Sequence, residues 1–204
     1  MSEAVVHVVD DDESARDALA FLLDAADFEV VSHASAQALL DALPLAGAGC
    51  VITDMRMPDM TGLELVRELN ARGSRVPIIM ITGHGDIPLA VEAMRAGVAD
   101  FIEKPFGEAR ILDALNRALA ASPPPASAQG SDEAALVRQR LATLSERERQ
   151  VLDGVVDGHP NKVIARDLGI SPRTVEIYRA KLMAKMHADN LAALVRMTLS
   201  SRRG

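Results

Sequence analysis

Five short apolar runs, each followed by a segment of helical period, constrain this chain more than any other feature in it. Val5-Val6-His7-Val8-Val9, Glu29-Val30-Val31, Cys50-Val51-Ile52-Thr53, Ile78-Ile79-Met80-Ile81 and Asp100-Phe101-Ile102 read as strands. Most are nearly continuous in apolar residues, which is the pattern of strands covered on both faces. Helices are expected near 14–26, 35–43, 62–72, 87–97 and 108–121. Leu63, Val66 and Leu69 form one stripe, and Ile111, Leu112, Leu115 and Leu119 form another. Five βα units in succession predict an α/β fold with a doubly wound, five-stranded parallel sheet and right-handed crossovers.

The pattern stops at SPPPASAQGS, residues 122–131, where three prolines followed by small polar residues can neither continue a helix nor build a core. The expected organisation is a first domain over 1–121, a linker over 122–135 and a second, all-α domain over 136–204. Ser145-Glu146-Arg147-Glu148 has the spacing of a capping box and opens a helix toward Val156. Asn161 is expected to cap a second helix that closes near Leu168, with Gly169 in the turn. Ser171-Pro172 opens a third that runs to about Met186, and Asn190 starts a last one through Leu199. Helix, tight turn, helix is the outline of a helix-turn-helix.

Charge divides at the same place. Residues 1–137 hold 9 Lys and Arg against 22 Asp and Glu, a net of −13, whereas residues 138–204 hold 13 against 7, a net of +6. A basic module joined to an acidic one points to a polyanionic partner for the second half. Tyr178 is the only aromatic residue after the linker, so binding of single strands through stacked rings is disfavoured. No run approaches the roughly 20 apolar residues of a membrane span, and the single cysteine, Cys50, offers neither an internal disulfide nor metal-ligand spacing. The expected compartment is the cytoplasm.

In an open parallel sheet, ligands sit beyond the carboxyl ends of the strands. The first strand ends in Asp10-Asp11-Asp12, the third in Asp54, the fourth in Thr82, and the fifth runs into Lys104-Pro105. Converging carboxylates repel one another unless a cation joins them, and hard oxygen donors with room for water suit Mg²⁺. A lysine and a threonine hydroxyl across the same pocket suit a tetrahedral anion. Together they point to a phosphoryl group attached to a carboxylate or passing through one. With DMRMPDMTG beginning at Asp54 and EKPF after the last strand, residues 3–121 resemble the receiver domain of bacterial response regulators. The resemblance implies a flavodoxin-like sheet of order 2-1-3-4-5. It makes Asp54 the phosphoacceptor, with Mg²⁺ on Asp10, Asp11, Asp54 and the backbone carbonyl of Arg56. Thr82 and Lys104 would bind phosphoryl oxygens, Lys104-Pro105 would be cis, and Thr82 and Phe101 would form a coupled switch. The surfaces around 87–97 and 100–121 would pair two phosphorylated copies. Asp12 makes a third acid where two suffice, and reads as an exposed or more distant charge.

In the second half, LSERERQVL, GHPNKVIARDLGISPRTVE and AKLMAKM resemble the LuxR/GerE-type helix-turn-helix. A helical wheel of the third helix puts Val175, Leu182 and Met186 on a core stripe, with Tyr178 at its edge. Arg173, Ile177, Ala180, Lys181 and Ala184 fall on the opposite arc, flanked by Thr174 and Glu176. That arc is small, cationic and partly apolar, as a major-groove face must be. Asn161 and Lys162, at the start of the preceding helix, are candidates for phosphate contacts. His7, His33, His84, His159 and His187 show no ligand spacing.

Joined, the two resemblances imply a transcriptional regulator that accepts a phosphoryl group on Asp54 from a sensor histidine kinase, dimerises, and binds double-stranded promoter DNA beside RNA polymerase. ITGHGDIPLAVEAMRAG and DFIEKPF resemble the branch of this family that controls nitrogen-fixation genes. Activation is the expected output, and the expected chemistry is at most slow self-dephosphorylation. A phosphohydrolase with Asp54 as nucleophile is disfavoured, because the second residue after it is Arg56 rather than the acid of haloacid-dehalogenase-type sites. A third reading, a constitutive DNA binder with the acidic domain as scaffold, separates from the first by its indifference to phosphodonors.

Overall fold

Each of the five runs forms a strand, and all four strand pairs are parallel, in the computed structural model, which describes residues 4–45, 48–83, 87–120, 130–188 and 191–202. The order along the chain is β1 (Val5–Val9), α1 (Glu13–Asp24), β2 (Glu29–His33), α2 (Ala36–Asp41), β3 (Ala48–Asp54), α3 (Gly62–Ala71), β4 (Ile78–Thr82), α4 (Ile87–Arg95), β5 (Asp100–Glu103) and α5 (Glu108–Ala120). The sheet order is β2-β1-β3-β4-β5, the doubly wound topology expected from the sequence. Val6, Val8, Cys50, Ile52, Ile79, Ile81 and Ile102 face one side and pack with Leu19 and Leu23 of α1 and Ile111 and Leu115 of α5. Each such fully buried aliphatic contributes about 1.5–3 kcal/mol. Leu39 and Leu40 of α2 and Leu63, Val66 and Leu69 of α3 are buried as well. Burial pushes the Cys50 thiol up to about 12, so it stays an inert core group.

The edge strand β2 departs from the expectation of strands covered on both faces: Glu29, Val31 and Ser32 are exposed. It pairs on one side only, and its charged and hydroxyl-bearing residues suit an edge. Helix starts follow local chemistry. The Asp12 carboxylate accepts the Ala15 N–H and caps α1, and Thr61 with Glu64 makes a reciprocal capping box on α3.

After residues 121–129, which lie outside the described residues, come α6 (Gly130–Ala142), α7 (Glu146–Val156), α8 (Asn161–Leu168), α9 (Pro172–Met186) and α10 (Leu191–Arg202). Helix α6 corrects the expected linker, whose last residues, 130–135, are helical. Pro125 is the last proline of the tract, and Ala134-Ala135-Leu136 beyond it are strong helix formers. A second correction concerns Asn161, which is the first residue of α8 rather than its cap; Pro160 stands at the boundary without a side-chain cap. Ser145 and Glu148 form the expected capping box, Ser171 caps α9, and Gly169 takes the left-handed conformation at φ 66°.

The chain divides into two compact units, residues 1–85 with 95–123, and residues 86–94 with 124–204. No helix of the described residues is long and apolar enough to cross a membrane.

A half-buried ion pair ties α7 to α9. Lys185 Nζ donates to the Glu148 carboxylate at 2.7 Å and to the Thr143 carbonyl at 3.3 Å, while Glu148 also accepts the Ser145 N–H at 2.8 Å. The Lys185 hydrogen bond and then the Ser145 N–H pull the Glu148 carboxyl down to about 2, from an ordinary 4.5. A carboxyl depressed in the fold stabilises it above the unfolded value and loses that contribution as pH falls through the folded one. The helical half should therefore lose stability between pH ~4.5 and ~2. Glu148→Gln should flatten that slope in urea melts taken across the range. An equally steep slope in the variant would assign the acid sensitivity to another group.

Candidate functional site

The acidic site assembles at the carboxyl edge of the sheet because β1 and β3 end side by side and β5 ends across β4 from them. Asp54 is the last residue of β3, and the Met55 N–H that follows donates to the Ile81 carbonyl of β4 at 2.8 Å. Lys104 follows β5 directly, and its own N–H donates to the Thr82 carbonyl at 2.7 Å. These two strand-end bonds aim Asp54 and Lys104 at each other. Lys104 Nζ lies 2.8 Å from Asp54 Oδ1 and 3.2 Å from Asp10 Oδ2. The Lys104-Pro105 bond is cis, as the resemblance implied, and a second cis bond joins Leu43 to Pro44.

Both carboxylates are almost enclosed, with Asp54 and Asp10 side chains 11% and 10% exposed. Their remaining oxygens are also engaged. The Arg56 N–H donates to Asp54 Oδ2 at 2.6 Å, and the Asp12 N–H donates to Asp10 Oδ1 at 2.9 Å. Burial works against the charged form of Lys104, but its bonds to Asp54 and then Asp10 outweigh that and raise its pKa. A permanent cation thus holds two carboxylates in one orientation at the mouth of the sheet.

Thr82 is 1% exposed and closes the same end of β4, and Phe101 is already buried at 8%. Asp11 is exposed and lines a hollow with Ser35, Met57 and Pro58. Among the described residues no three His, Cys, Asp or Glu side chains are grouped closely enough to share a metal ion. The structure therefore brings Asp10 and Asp54 together without drawing Asp11 into a three-carboxylate cluster. Two neighbouring carboxylates still match the donor set of Mg²⁺, which commonly binds through one or two carboxylates and keeps several waters.

Three contributors to this half carried no clear sequence signal. Arg16 of α1 donates to the Asp10 carbonyl at 2.8 Å and anchors the turn that bears the acidic run. Gly62 packs against the Asp54 backbone so closely that an added Cβ would overlap its carbonyl oxygen. Asp100, 3% exposed, takes both Arg110 amino groups at 3.0 Å and Arg117 at 3.1 Å, pinning α5 to β5. Asp12, read from sequence as a spare charge, is the cap of α1; its place three residues before Ala15 was the available signal. His7 and His33 form a buried pair, Nδ1 to Nε2 at 3.0 Å, and burial lowers both imidazoles below their ordinary value. His84 lies outside the described residues.

The helical half presents its own face. Val175, Leu182 and Met186 are buried, and Arg173, Glu176, Ile177, Ala180, Lys181 and Ala184 are exposed. Ile177 is 48% exposed, a branched apolar side chain left in water on a cationic arc. Arg173 pairs with Glu176 at 2.9 Å, Thr174 Oγ1 meets Ser171 Oγ at 2.8 Å, and Lys181 Nζ stands 5.8 Å from the Tyr178 ring centre. Lys162 is exposed on the first turn of α8. Asn161 Oδ1 accepts from Arg179 at 3.1 Å, a bond that fixes the angle between α8 and α9. Arg179 and Lys185 are thus both tied into the helical framework.

Comparison with known proteins agrees with both halves. Residues 6–116 match the response regulator receiver domain, and residues 142–198 match the bacterial regulatory proteins of the luxR family. The chain is 55% identical to the transcriptional regulatory protein FixJ of Azorhizobium caulinodans, over 95% of this chain and 91% of that protein. It is 53% identical to FixJ of Rhizobium meliloti, over 98% and 97%. A crystal structure of full-length FixJ from B. japonicum is similar over the whole of both chains, with 46% identity and a TM-score of 0.58.

Proposed function

Because the chain belongs to the response regulators that join a receiver domain to a LuxR-family DNA-binding domain, we propose that phosphorylation of Asp54 controls its binding to promoter DNA. The domain boundaries we assign are 1–121 for the receiver and 136–204 for the output domain, with 122–135 between them ending in the first turns of α6. The observation that carries the reading is the pair of bonds from Lys104 to Asp54 and Asp10, which prepares one carboxylate as nucleophile and one cation for the incoming charge.

The reaction is a phosphoryl transfer from a phosphohistidine of a FixL-like sensor kinase. Asp54 Oδ1 attacks phosphorus in line, the P–N bond breaks, and the electron pair leaves with the imidazole. Such transfers depend on position and on electrostatic stabilisation of the equatorial oxygens. Lys104 exchanges part of its bond to Asp54 for one to a phosphoryl oxygen, and Thr82 donates its hydroxyl to another. Asp10, Asp54 and the Arg56 carbonyl, with Asp11 brought in from its exposed position, would hold Mg²⁺, whose charge would offset part of that on the phosphoryl group. The Arg56 N–H keeps the second Asp54 oxygen turned away from the attack. Hydrolysis of the resulting acyl phosphate by the chain is slow.

The modified receiver then pairs with a second copy through the surfaces around 87–97 and 100–121, with Thr82 and Phe101 as the responding residues. Moving a two-state equilibrium from 1:99 to 99:1 takes about 5.5 kcal/mol, to which a doubly charged group facing Lys104 and Mg²⁺ contributes. Pairing also doubles the +6 charge set against DNA. The targets are promoters of nitrogen-fixation genes, and the output is activation through RNA polymerase. Arg173, Thr174, Glu176, Ile177, Ala180 and Lys181 face the bases: Glu176 accepts from a cytosine amino group, and Ile177 meets a thymine methyl. Asn161 and Lys162 face phosphates.

Light scattering of the full chain tests the first half of this reading. Acetyl phosphate with Mg²⁺ should double the molar mass, and an unchanged mass in a fully phosphorylated sample would overturn dimerisation. Lys162→Ala should weaken binding to every duplex alike and reduce the slope of log affinity against log salt by about one. A loss confined to particular sequences would make Lys162 a reader of bases.

A further inference from the structure

Two helix C-termini meet inside the output half, and each is closed by a cation from the other. The last four carbonyls of an α-helix have no partner within it, and that end carries partial negative charge. Two such ends side by side are unfavourable unless positive charge joins them. Arg140, in the last turn of α6, donates to the carbonyl of Met186, the last residue of α9, at 3.0 Å. Lys185, in the last turn of α9, donates in return to the carbonyl of Thr143, just after α6, at 3.3 Å. The Met183 and Ala184 carbonyls are taken by the N–H groups of Ala188 and His187, so Arg140 supplies at Met186 what the backbone supplies to its neighbours.

This clasp bears on DNA through the direction of α9, whose first three turns carry the arc from Arg173 to Lys181. Burial of Val175, Leu182 and Met186 fixes which side of α9 faces inward, and the polar bonds fix its tilt. One such bond joins Arg179 to Asn161 of α8 at 3.1 Å. A helix held at one point can pivot, and a second point fixes its direction. Arg140 supplies that second point, about 10 Å further along the axis. Lys185 divides its ammonium between Thr143 and Glu148 of α7. Helix α6 is seated by Val137, 5% exposed, and packs against α9 and α10. It begins before the residues 142–198 that carry the family likeness, and it contributes nothing to the reading arc.

We propose that α6 is a functional part of the DNA-binding unit, with Arg140 the positioning residue that sets the tilt of α9 and so the discrimination between promoter and other DNA. The proposal rests on α9 as the helix that reads bases, and adds what aims it.

The test uses the phosphorylated full chain and two duplexes, a genomic promoter fragment that the wild-type chain retains and the same composition in scrambled order. Affinity for each is measured over a range of salt. Arg140→Met should weaken promoter binding roughly tenfold, change binding to the scrambled duplex by less than about twofold, and leave the slope of log affinity against log salt unaltered. Arg140→Lys, which returns a cationic donor to the Met186 carbonyl, should recover most of the loss. Arg140→Gln, a milder change that keeps a donor without the charge, should fall between the two and decides the matter if the methionine variant does not fold. An unchanged ratio of promoter to scrambled affinity in the neutral variants overturns the proposal. So does an equal loss on both duplexes, which marks a phosphate contact where the salt slope falls and a general loss of fold where it does not. A lysine variant as weak as methionine also overturns it, because charge at this position would then not hold α9. Failure of α9 as the reading helix shows elsewhere, in an Ile177→Asp variant of normal fold that binds the promoter as wild type does.

Discussion

Asp54→Asn should fold normally and lose at least about a hundredfold in labelling by radioactive acetyl phosphate, because an amide oxygen is no nucleophile for phosphorus at neutral pH. The substitution keeps the shape of the side chain and an oxygen able to accept from Lys104. It removes the negative charge that Lys104 and Asp10 are arranged around, at 2.8 and 3.2 Å from the same ammonium. The downstream consequence is sharper than the chemical one. Light scattering with Mg²⁺ and phosphodonor should give one chain mass, and promoter binding should stay at its unmodified level whatever donor is supplied. Promoter binding and transcription that match wild type after donor treatment would identify the acidic domain as a passive scaffold. Persistent acid-labile label on the variant would put the acceptor elsewhere.

The same site shows what a sequence can and cannot reveal. Asp10, Asp54, Thr82 and Lys104 were legible because each stands directly at the end of an apolar run, and strand order in a doubly wound sheet brings those ends together. The core stripe of α9 was legible for a similar reason, since a 3.6-residue period assigns Val175, Leu182 and Met186 to one side. Period and position are one-dimensional properties, and they survive the passage to three dimensions.

What was hidden depends on distances between residues far apart in the chain. Lys185 and Glu148 are 37 positions apart, Arg179 and Asn161 are 18 apart, and each pair looks like two ordinary surface residues until the helices are packed. Asn161 misled for a local reason. Asparagine caps helices well, but with Pro160 before it the boundary moved one residue earlier, and its amide was left for Arg179. The proline tract likewise marked the break between domains while concealing that α6 begins at Gly130. Helix propensity over 134–137 carried that signal, and it was outweighed by the composition of its neighbours.

Gly62→Ala should damage the acidic site more than any change outside its charged residues. The residue is buried at the first position of α3, and its N–H donates to the Met55 carbonyl at 3.0 Å, closing the loop that begins at Asp54. An added methyl would overlap the Asp54 carbonyl oxygen and stand 3.2 Å from both the Asp54 carbonyl carbon and Met55 Cα. All three neighbours are backbone atoms, so no side chain can turn aside. Either α3 is pushed off the sheet or β3 shifts at its end, and both routes move the Asp54 carboxylate away from Lys104. Overpacking of this kind costs about 1–3 kcal/mol, with more where backbone must move. The receiver's unfolding midpoint should therefore fall by roughly 5 to 15 °C, since 1 kcal/mol corresponds to several degrees in a domain of this size. Phosphorylation should slow at temperatures where the domain remains folded. Gly107→Ala is the control, because an added methyl there meets nothing within 4 Å. Equal midpoints for the two variants would mean that the loop after Asp54 yields freely, and that the helix start at Thr61 does not hold the Asp54 carboxylate in place.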